Sequence, residues 1–369
     1  MNVLFSLPKL LSGPGVLAEL PAELEAFGVR RPMLISDAGL NRAGLVSTVA
    51  ACLQPGAVIH PHVGENPTCA DADAAFSAYV AGNCDGIVAL GGGSVLDTAK
   101  FLAAMVYCKT LSAAQLLGRS DLIGASVPPL VAIPTTVGTG SESSPATGLH
   151  PDPQARAVGT RSPFLIPKVV ICDAEMALTL PPRLIAATGV DALSHCLEGY
   201  LARTEHPVID AIALDGLARA KANLHAATQG NLESIQLMMV ASFAGGVSIQ
   251  KGLGPAHAIA LACGDQHLHH GTLVAAAMPS VMDLLASRLP EKTARVAEAV
   301  GLASGRDLGP MLRELNRSLG LPDNLRELGY RVRSMDVLVD AMAASPFNRT
   351  AGYAPTRAEY FALAGELTA

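Results

Sequence analysis

Hydrophobic and polar positions alternate in two different ways along the chain. As far as residue 180, short runs rich in Val, Ile and Leu are separated by longer Ala-rich stretches, and the clearest runs are residues 32–36, 85–90, 130–133 and 168–172. Short apolar runs are typical of buried strands, and strands that alternate with helices form a mainly parallel sheet covered by helices. The pattern therefore predicts an N-terminal α/β domain at residues 1–180.

The pattern changes after Pro181 and Pro182. The strand-like runs stop, and Ala- and Leu-rich stretches with helical spacing continue to the C-terminus, interrupted by Gly and Pro. We predict an all-helical domain at residues 181–369. No low-complexity linker separates the halves, so we expect them to pack closely with a cleft between them, where ligands usually bind.

Composition excludes several classes of partner. A 369-residue chain with 50% hydrophobic residues can bury two domain cores, whereas a net charge of -6 with 16% charged residues leaves no basic patch for nucleic acid or a membrane surface. The seven cysteines are scattered singly, without a Cys-x-x-Cys pair, as in a reducing compartment. With no membrane-spanning run and no signal-peptide pattern at the start, we expect a cytoplasmic protein.

Two loops rich in hydrogen-bond donors follow predicted strands. The glycine turn Gly91–Gly93 leads into a helix, where bare N–H groups suit a phosphate; three glycines alone would equally make a tight turn. The threonine loop, Pro134–Glu142, follows another strand and adds hydroxyl donors. Two such loops favour a bound polyphosphate.

Asp37 ends the first clear strand. A carboxylate there could accept hydrogen bonds from a ribose diol and repel a 2'-phosphate, which would favour NAD over NADP. An acid directly after a strand is also a common helix cap.

A group of acidic and imidazole side chains follows in the second half. Asp191 and His195 are four residues apart on a predicted helix and share one face, and His257 and the run His267–His270 follow. Such a pair alone is usually a hydrogen bond, and part of the histidine run could be a solvated loop. One carboxylate with two or three imidazoles suits Fe(II) or Zn(II).

In this order, the segments resemble the iron-containing, or group III, alcohol dehydrogenases over nearly the whole chain. The matching segments are Asp37, Glu65–Thr68, Gly91–Lys100, Pro134–Glu142, Asp173–Pro181, Asp191–His195 and His257–Gly271. The resemblance implies a dehydroquinate-synthase-like fold, with an α/β NAD-binding domain and a helical domain for metal and substrate. It implies hydride transfer between NAD(H) and a small alcohol/aldehyde or hydroxy acid/oxo acid pair.

The resemblance also assigns residues. The implied metal ligands are Asp191, His195, His257 and His270, for Fe(II) first and Zn(II) as the alternative. The implied cofactor contacts, with Gly92 added from the glycine turn, are Asp37, Asn66, Gly92, Gly93, Ser94, Asp97, Thr135, Thr136 and Thr139.

The chain departs from the family pattern in three places: the interval from His257 to His270 is one residue shorter, no lysine is evident ahead of Ser162 and Pro163, and a histidine is replaced. Many relatives carry a further histidine, often assigned to proton transfer, where this chain has Leu261, so His267 and His269 become candidates for a proton relay. The segment Leu4–Lys9 resembles the family's edge strand and predicts a homodimer. The alternatives are a maleylacetate-reductase-like enzyme and a lyase or synthase of the same fold that uses NAD and a metal.

Overall fold

The computed structural model describes residues 6–109, 111–266 and 268–369. The chain divides into two compact units at the bond between Leu180 and Pro181. The part before this bond is called the α/β unit and the part after it the helical unit.

The described α/β unit contains eight strands and six α-helices. The strands are β1 Lys9–Ser12, β2 Pro32–Asp37, β3 Val58–Val63, β4 Gly86–Gly91, β5 Leu130–Pro134, β6 Ala146–Leu149, β7 Val158–Arg161 and β8 Val169–Cys172. The helices are α1 Leu20–Ala26, α2 Ala38–Arg42, α3 Leu45–Ala50, α4 Cys69–Ala81, α5 Gly93–Cys108 and α6 Ala113–Leu116.

Six of the strands form one sheet in the order β1-β8-β5-β4-β2-β3, and every neighbouring pair is parallel. Strands β4, β5 and β8 are buried along their whole length, which explains why they have nearly continuous apolar sequences. Strands β6 and β7 form a separate antiparallel pair.

The helical unit has nine α-helices and no strand in the part of it that the structure describes. They are α7 Pro182–Leu201, α8 Pro207–Thr228, α9 Leu232–Ser248, α10 Pro255–Ala262, α11 His270–Arg288, α12 Pro290–Ala299, α13 Leu308–Ser318, α14 Met335–Ala343 and α15 Arg357–Thr368. Helix α7 packs against α8, α9 and α11. Among the described helices, none is long and apolar enough to cross a membrane.

The predicted fold class is confirmed. The four predicted strand runs coincide with β2, β4, β5 and β8 to within one residue at each end. The pattern missed β1 and β3, which lie at the two edges of the sheet and are only partly buried, and the hairpin of β6 and β7. Edge strands give a weak apolar signal because only part of their surface is covered.

Candidate functional site

The predicted cofactor residues line up at one edge of the parallel sheet. Strands β3, β2, β4 and β5 are consecutive neighbours, so their carboxyl ends lie along the same edge. Asn66 follows β3, Asp37 ends β2, the glycine turn follows β4 and the threonine loop follows β5. In open parallel sheets this edge is where nucleotides bind.

The glycine turn and the threonine loop are in direct contact. The N–H of Thr135 donates to the carbonyl of Gly91 at 3.1 Å. A Cβ atom on Gly92 would lie 2.9 Å from Thr136 Cγ2, and one on Gly93 would lie 2.8 Å from Thr139 Oγ1. Both glycines are therefore required by packing between the loops.

Polar groups at this edge are left for a ligand. Gly92 is the residue before α5, and no side chain caps the first N–H groups of that helix. The buried Oγ1 atom of Thr136 has no hydrogen-bond partner among the described residues. Unsatisfied N–H and O–H donors at a helix start fit an anionic group such as a diphosphate.

Two further predicted contacts are used inside the protein. The hydroxyl of Ser94 donates to the carbonyl of Glu65. The carboxylate of Asp97 accepts from Ser141 Oγ at 2.5 Å and from the N–H of Gly148 at 2.7 Å. These side chains hold the neighbouring loops in place, and their contact with a cofactor stays a prediction.

Asp37 serves as a helix cap. Its Oδ1 accepts from the N–H of Leu40 at 2.9 Å, at the start of α2. The cap role that the sequence left open is present, and the ribose role stays a prediction.

A second group of polar residues converges in the helical unit. We call Asp191, His195, His257 and His270 the His/Asp cluster. Asp191 Oδ1 lies 3.7 Å from Nε2 of His195, 3.6 Å from Nε2 of His257 and 3.9 Å from Nε2 of His270. Asp191 and His195 are one turn apart on α7, His257 lies on α10, and His270 begins α11.

The geometry of the His/Asp cluster fits a divalent metal ion. Ligand atoms of Asp191, His257 and His270 all lie within 4.8 Å of one another, and His195 joins them through its approach to Asp191. Its interatomic distances are too long for hydrogen bonds, yet donor atoms that surround one ion at about 2.1 Å lie about 3.4 Å apart. Asp191 Oδ1 and His257 Nε2 are buried and have no hydrogen-bond partner in the described residues. Asp191 is 7% exposed and His257 1%, so both donor atoms are shielded from bulk solvent. A mixed N/O donor set without thiolate suits Fe(II) or Zn(II).

The protonation states within the cluster determine what a metal would have to displace. Burial would raise the pKa of Asp191, but His195, His257 and His270 hold it well below its usual range. Desolvation, aided by His257 and His195 and opposed by Asp191, lowers the pKa of His270 to about 4. Burial lowers the pKa of His257, but Asp191 and Glu198 outweigh it and raise that pKa to about 9. At neutral pH a metal would meet an ionised Asp191 and a neutral His270, and would displace a proton from His257.

The proposed relay histidines differ in what can be said of them. His267 lies outside the described residues. His269 precedes α11, and its ring lies beside Gly271, where a Cβ would contact His269 Cε1 at 3.4 Å. That Cβ would also lie 2.5 Å from the carbonyl oxygen of Ala187, so glycine lets α11 approach α7. The relay stays a prediction.

Glu198 is a site residue that the sequence reasoning missed. Its carboxylate accepts a hydrogen bond from His257 Nδ1 at 2.7 Å, and the residue is 2% exposed. It stands three residues after His195 and seven after Asp191, which places it on the same helix face. This helical spacing was the available signal.

A parallel sheet of the nucleotide-binding type and a His/Asp cluster that fits a metal ion are the combination expected of a metal-dependent, nucleotide-linked enzyme. Residues 8–174 match the profile of the iron-containing alcohol dehydrogenases, and residues 185–360 match the C-terminal profile of the Fe-containing alcohol dehydrogenase family. The chain belongs to this family. The resemblance drawn from the motifs is confirmed, and the protein is an NAD-dependent alcohol dehydrogenase.

Individual relatives cover nearly all of the chain. It is 35% identical to the 4-hydroxybutyrate dehydrogenase of Cupriavidus necator, over 94% of this chain and 94% of that protein. It is 28% identical to the NAD-dependent methanol dehydrogenase of Bacillus methanolicus, over 92% of each. The crystal structure of a 1,3-propanediol oxidoreductase superposes with a TM-score of 0.91 at 26% identity, over 99% of this chain and 100% of that one.

Proposed function

We propose that the His/Asp cluster binds one divalent metal ion, Fe(II) in preference to Zn(II). The observation that carries this proposal is the convergence of three imidazole nitrogens on Asp191 Oδ1, at 3.6 to 3.9 Å. Two of the buried donor atoms have no other partner in the described residues. The choice of iron rests on the family profile.

We further propose that NAD binds at the carboxyl edge of β2, β4 and β5, within a domain at residues 1–180, and that residues 181–369 supply metal and substrate binding. The uncapped start of α5 and Thr136 would bind the diphosphate, and Asp37 the adenosine ribose. A bound metal supplies Lewis acidity to the substrate oxygen, and NAD supplies the hydride acceptor. The chain's own part is to hold these groups and to exclude water through the buried Asp191 and His257.

The proposed substrate is a short hydroxy acid such as 4-hydroxybutyrate, with its oxo acid as product. The relative with 35% identity carries that name. Arg349 is an exposed cation in the same unit, on the short turn Pro346–Arg349. Phe347 of that turn packs edge-on to His257, with 6.0 Å between the ring centroids. Arg349 forms no ion pair with the described residues, and we assign it to the substrate carboxylate.

The proposed assembly is a cytoplasmic homodimer. Support comes from β1, an edge strand of the six-stranded sheet, and from seven cysteines that are all free thiols. The predicted edge segment Leu4–Lys9 lies partly outside the described residues, and the described strand begins at Lys9.

Metal reconstitution tests the ligand set. The purified protein is stripped with chelator, and Fe(II), Zn(II), Mn(II) or Mg(II) is returned separately while NADH oxidation is followed with small aldehydes and oxo acids. We expect activity to return with Fe(II) and to be lost in His270→Ala. The matched control is His225→Ala, since His225 is exposed on α8. Full activity after verified metal removal would contradict the proposal.

Substrate preference tests Arg349. We expect Arg349→Ala to raise KM for 4-hydroxybutyrate by roughly tenfold or more, because a charge-assisted hydrogen bond to the carboxylate is lost. The KM for butane-1,4-diol, which has no carboxylate, should change little. An equal change for both substrates would remove Arg349 from this role.

A further inference from the structure

Glu198 makes three hydrogen bonds that meet at the start of the helix carrying His257. Its Oε2 accepts from the N–H of Gly254 at 2.9 Å and from His257 Nδ1 at 2.7 Å, and its Oε1 accepts from the N–H of Ala256 at 2.8 Å. All three partners are buried. The carboxylate therefore joins α7, which carries Asp191 and His195, to the first turn of α10.

We propose that Glu198 is a positioning residue that makes His257 a metal ligand. This inference rests on the proposed metal binding by the His/Asp cluster. A neutral imidazole has a single N–H, and a carboxylate can only accept. In the neutral ring that remains after a metal has displaced the second proton, Glu198 keeps the proton on Nδ1 and leaves the lone pair on Nε2, which faces Asp191 Oδ1 at 3.6 Å. The same bond sets the ring orientation.

The surrounding backbone is built around this carboxylate. A Cβ on Gly254 would lie 2.8 Å from Glu198 Oε1, so only glycine allows the N–H of residue 254 to approach the carboxylate. Gly254 is also the residue before α10 and has no capping side chain of its own. Glu198 thus satisfies N–H groups that a local cap would otherwise bind.

Glutamine has nearly the same shape as glutamate but cannot replace it here. Both carboxylate oxygens accept hydrogen bonds, whereas an amide has one oxygen and one NH₂ group. In one orientation the NH₂ group faces the N–H of Ala256, so two donors meet and that N–H loses its acceptor. In the other it faces the N–H of Gly254 and donates to His257 Nδ1, which moves the ring proton to Nε2, the atom proposed to bind the metal.

The experiment compares metal affinity in full-length wild-type and Glu198→Gln protein. The dissociation constants of Co(II) and Zn(II) are measured by chelator competition, and the visible absorption bands of bound Co(II) are recorded. We expect Glu198→Gln to bind both ions roughly 10- to 100-fold more weakly and to shift the Co(II) bands, as loss of a carboxylate behind a ligating histidine does elsewhere. Wild-type affinity and an unchanged spectrum would overturn the inference.

A stability control separates positioning from general support of the fold. Leu367→Ala truncates a core residue that is 1% exposed on α15, a helix that carries no member of the His/Asp cluster. It should lower the Tm of the metal-free protein without changing the Co(II) constant or spectrum. If Glu198→Gln behaved in the same way, Glu198 would be structural only.

Metal binding by the wild type and by His270→Ala distinguishes failure of the proposed ligand set from failure of the Glu198 inference. Absence of Co(II) binding by the wild type would overturn both the proposed ligand set and this inference, whereas weakening by His270→Ala but not by Glu198→Gln would overturn this inference alone. If Glu198→Gln does not fold, ¹⁵N-histidine NMR of the Zn(II)-loaded wild type decides. We expect a slowly exchanging Nδ1–H for His257, and a proton on Nε2 would overturn the assignment.

Discussion

Asp37 has one carboxylate, with one observed task, the cap of α2, and one proposed task, binding of the ribose. One oxygen caps α2 through the N–H of Leu40. The residue ends β2, which pairs with β4, the strand that leads into the glycine turn. A test of cofactor choice must therefore keep the cap while removing the charge.

Asp37→Asn meets that requirement, because Asn caps helices about as well as Asp. We expect the ratio of kcat/KM for NADPH to that for NADH to rise by roughly tenfold, since the repulsion of a 2'-phosphate is removed. The Tm should change little. Steady-state kinetics with both cofactors, together with a melting curve, provide the measurement, and an unchanged ratio would remove Asp37 from cofactor selection.

At the scale of elements, the start of α5 and the threonine loop form one unit. Gly92 and Gly93 pack against Thr136 and Thr139 with no room for a Cβ. Helix α5 then continues into the sheet's covering layer, where Lys100 is fully buried and donates to the carbonyl of Ala146 at 2.6 Å. A substitution in the glycine turn should therefore displace the threonine loop before it affects the rest of the α/β unit.

Gly93→Ala tests this arrangement. Alanine normally favours a helix, but here its Cβ would lie 2.8 Å from Thr139 Oγ1, so the threonine loop must shift. We expect NADH to bind roughly tenfold more weakly, as measured by fluorescence titration.

The matched control is Gly365→Ala on α15, where a Cβ would meet no atom within 4 Å. That variant should gain about 0.5 to 1 kcal/mol of stability and keep its NADH affinity. Equal NADH affinity in both variants would show that the contact at Gly93 does not shape the cofactor site.

For the whole molecule, the two proposed ligand sites belong to different units. The cofactor residues all precede Leu180, and the His/Asp cluster follows Pro181. A ligand that binds only the folded state stabilises that state by a free energy that rises with the logarithm of its concentration over Kd. Each ligand should therefore protect its own part of the chain first.

Hydrogen–deuterium exchange can measure this division. We expect a metal added to stripped protein to slow exchange at the start of α10 and α11 and in the middle of α7. NADH should slow exchange at the glycine turn and the threonine loop. Protection by the metal confined to the α/β unit would contradict the proposed ligand set.

The sequence by itself determined the features that depend on neighbours along the chain. Apolar runs predicted the parallel strands, glycine between strand and helix predicted the turn after β4, and the four-residue spacing placed Asp191 and His195 on one helix face. These features follow from local backbone geometry, in which side chains repeat every two residues in strands and every 3.6 in helices. The ordered motifs then indicated the family.

Only the tertiary structure decided which distant residues meet. Glu198 and His257 are 59 residues apart, and their hydrogen bond exists because α7 and the start of α10 pack together. The contact between the glycine turn and Thr136 depends likewise on β4 and β5 being neighbours in the sheet. Spacing along the chain carries no distance between separate elements, because packing sets that distance.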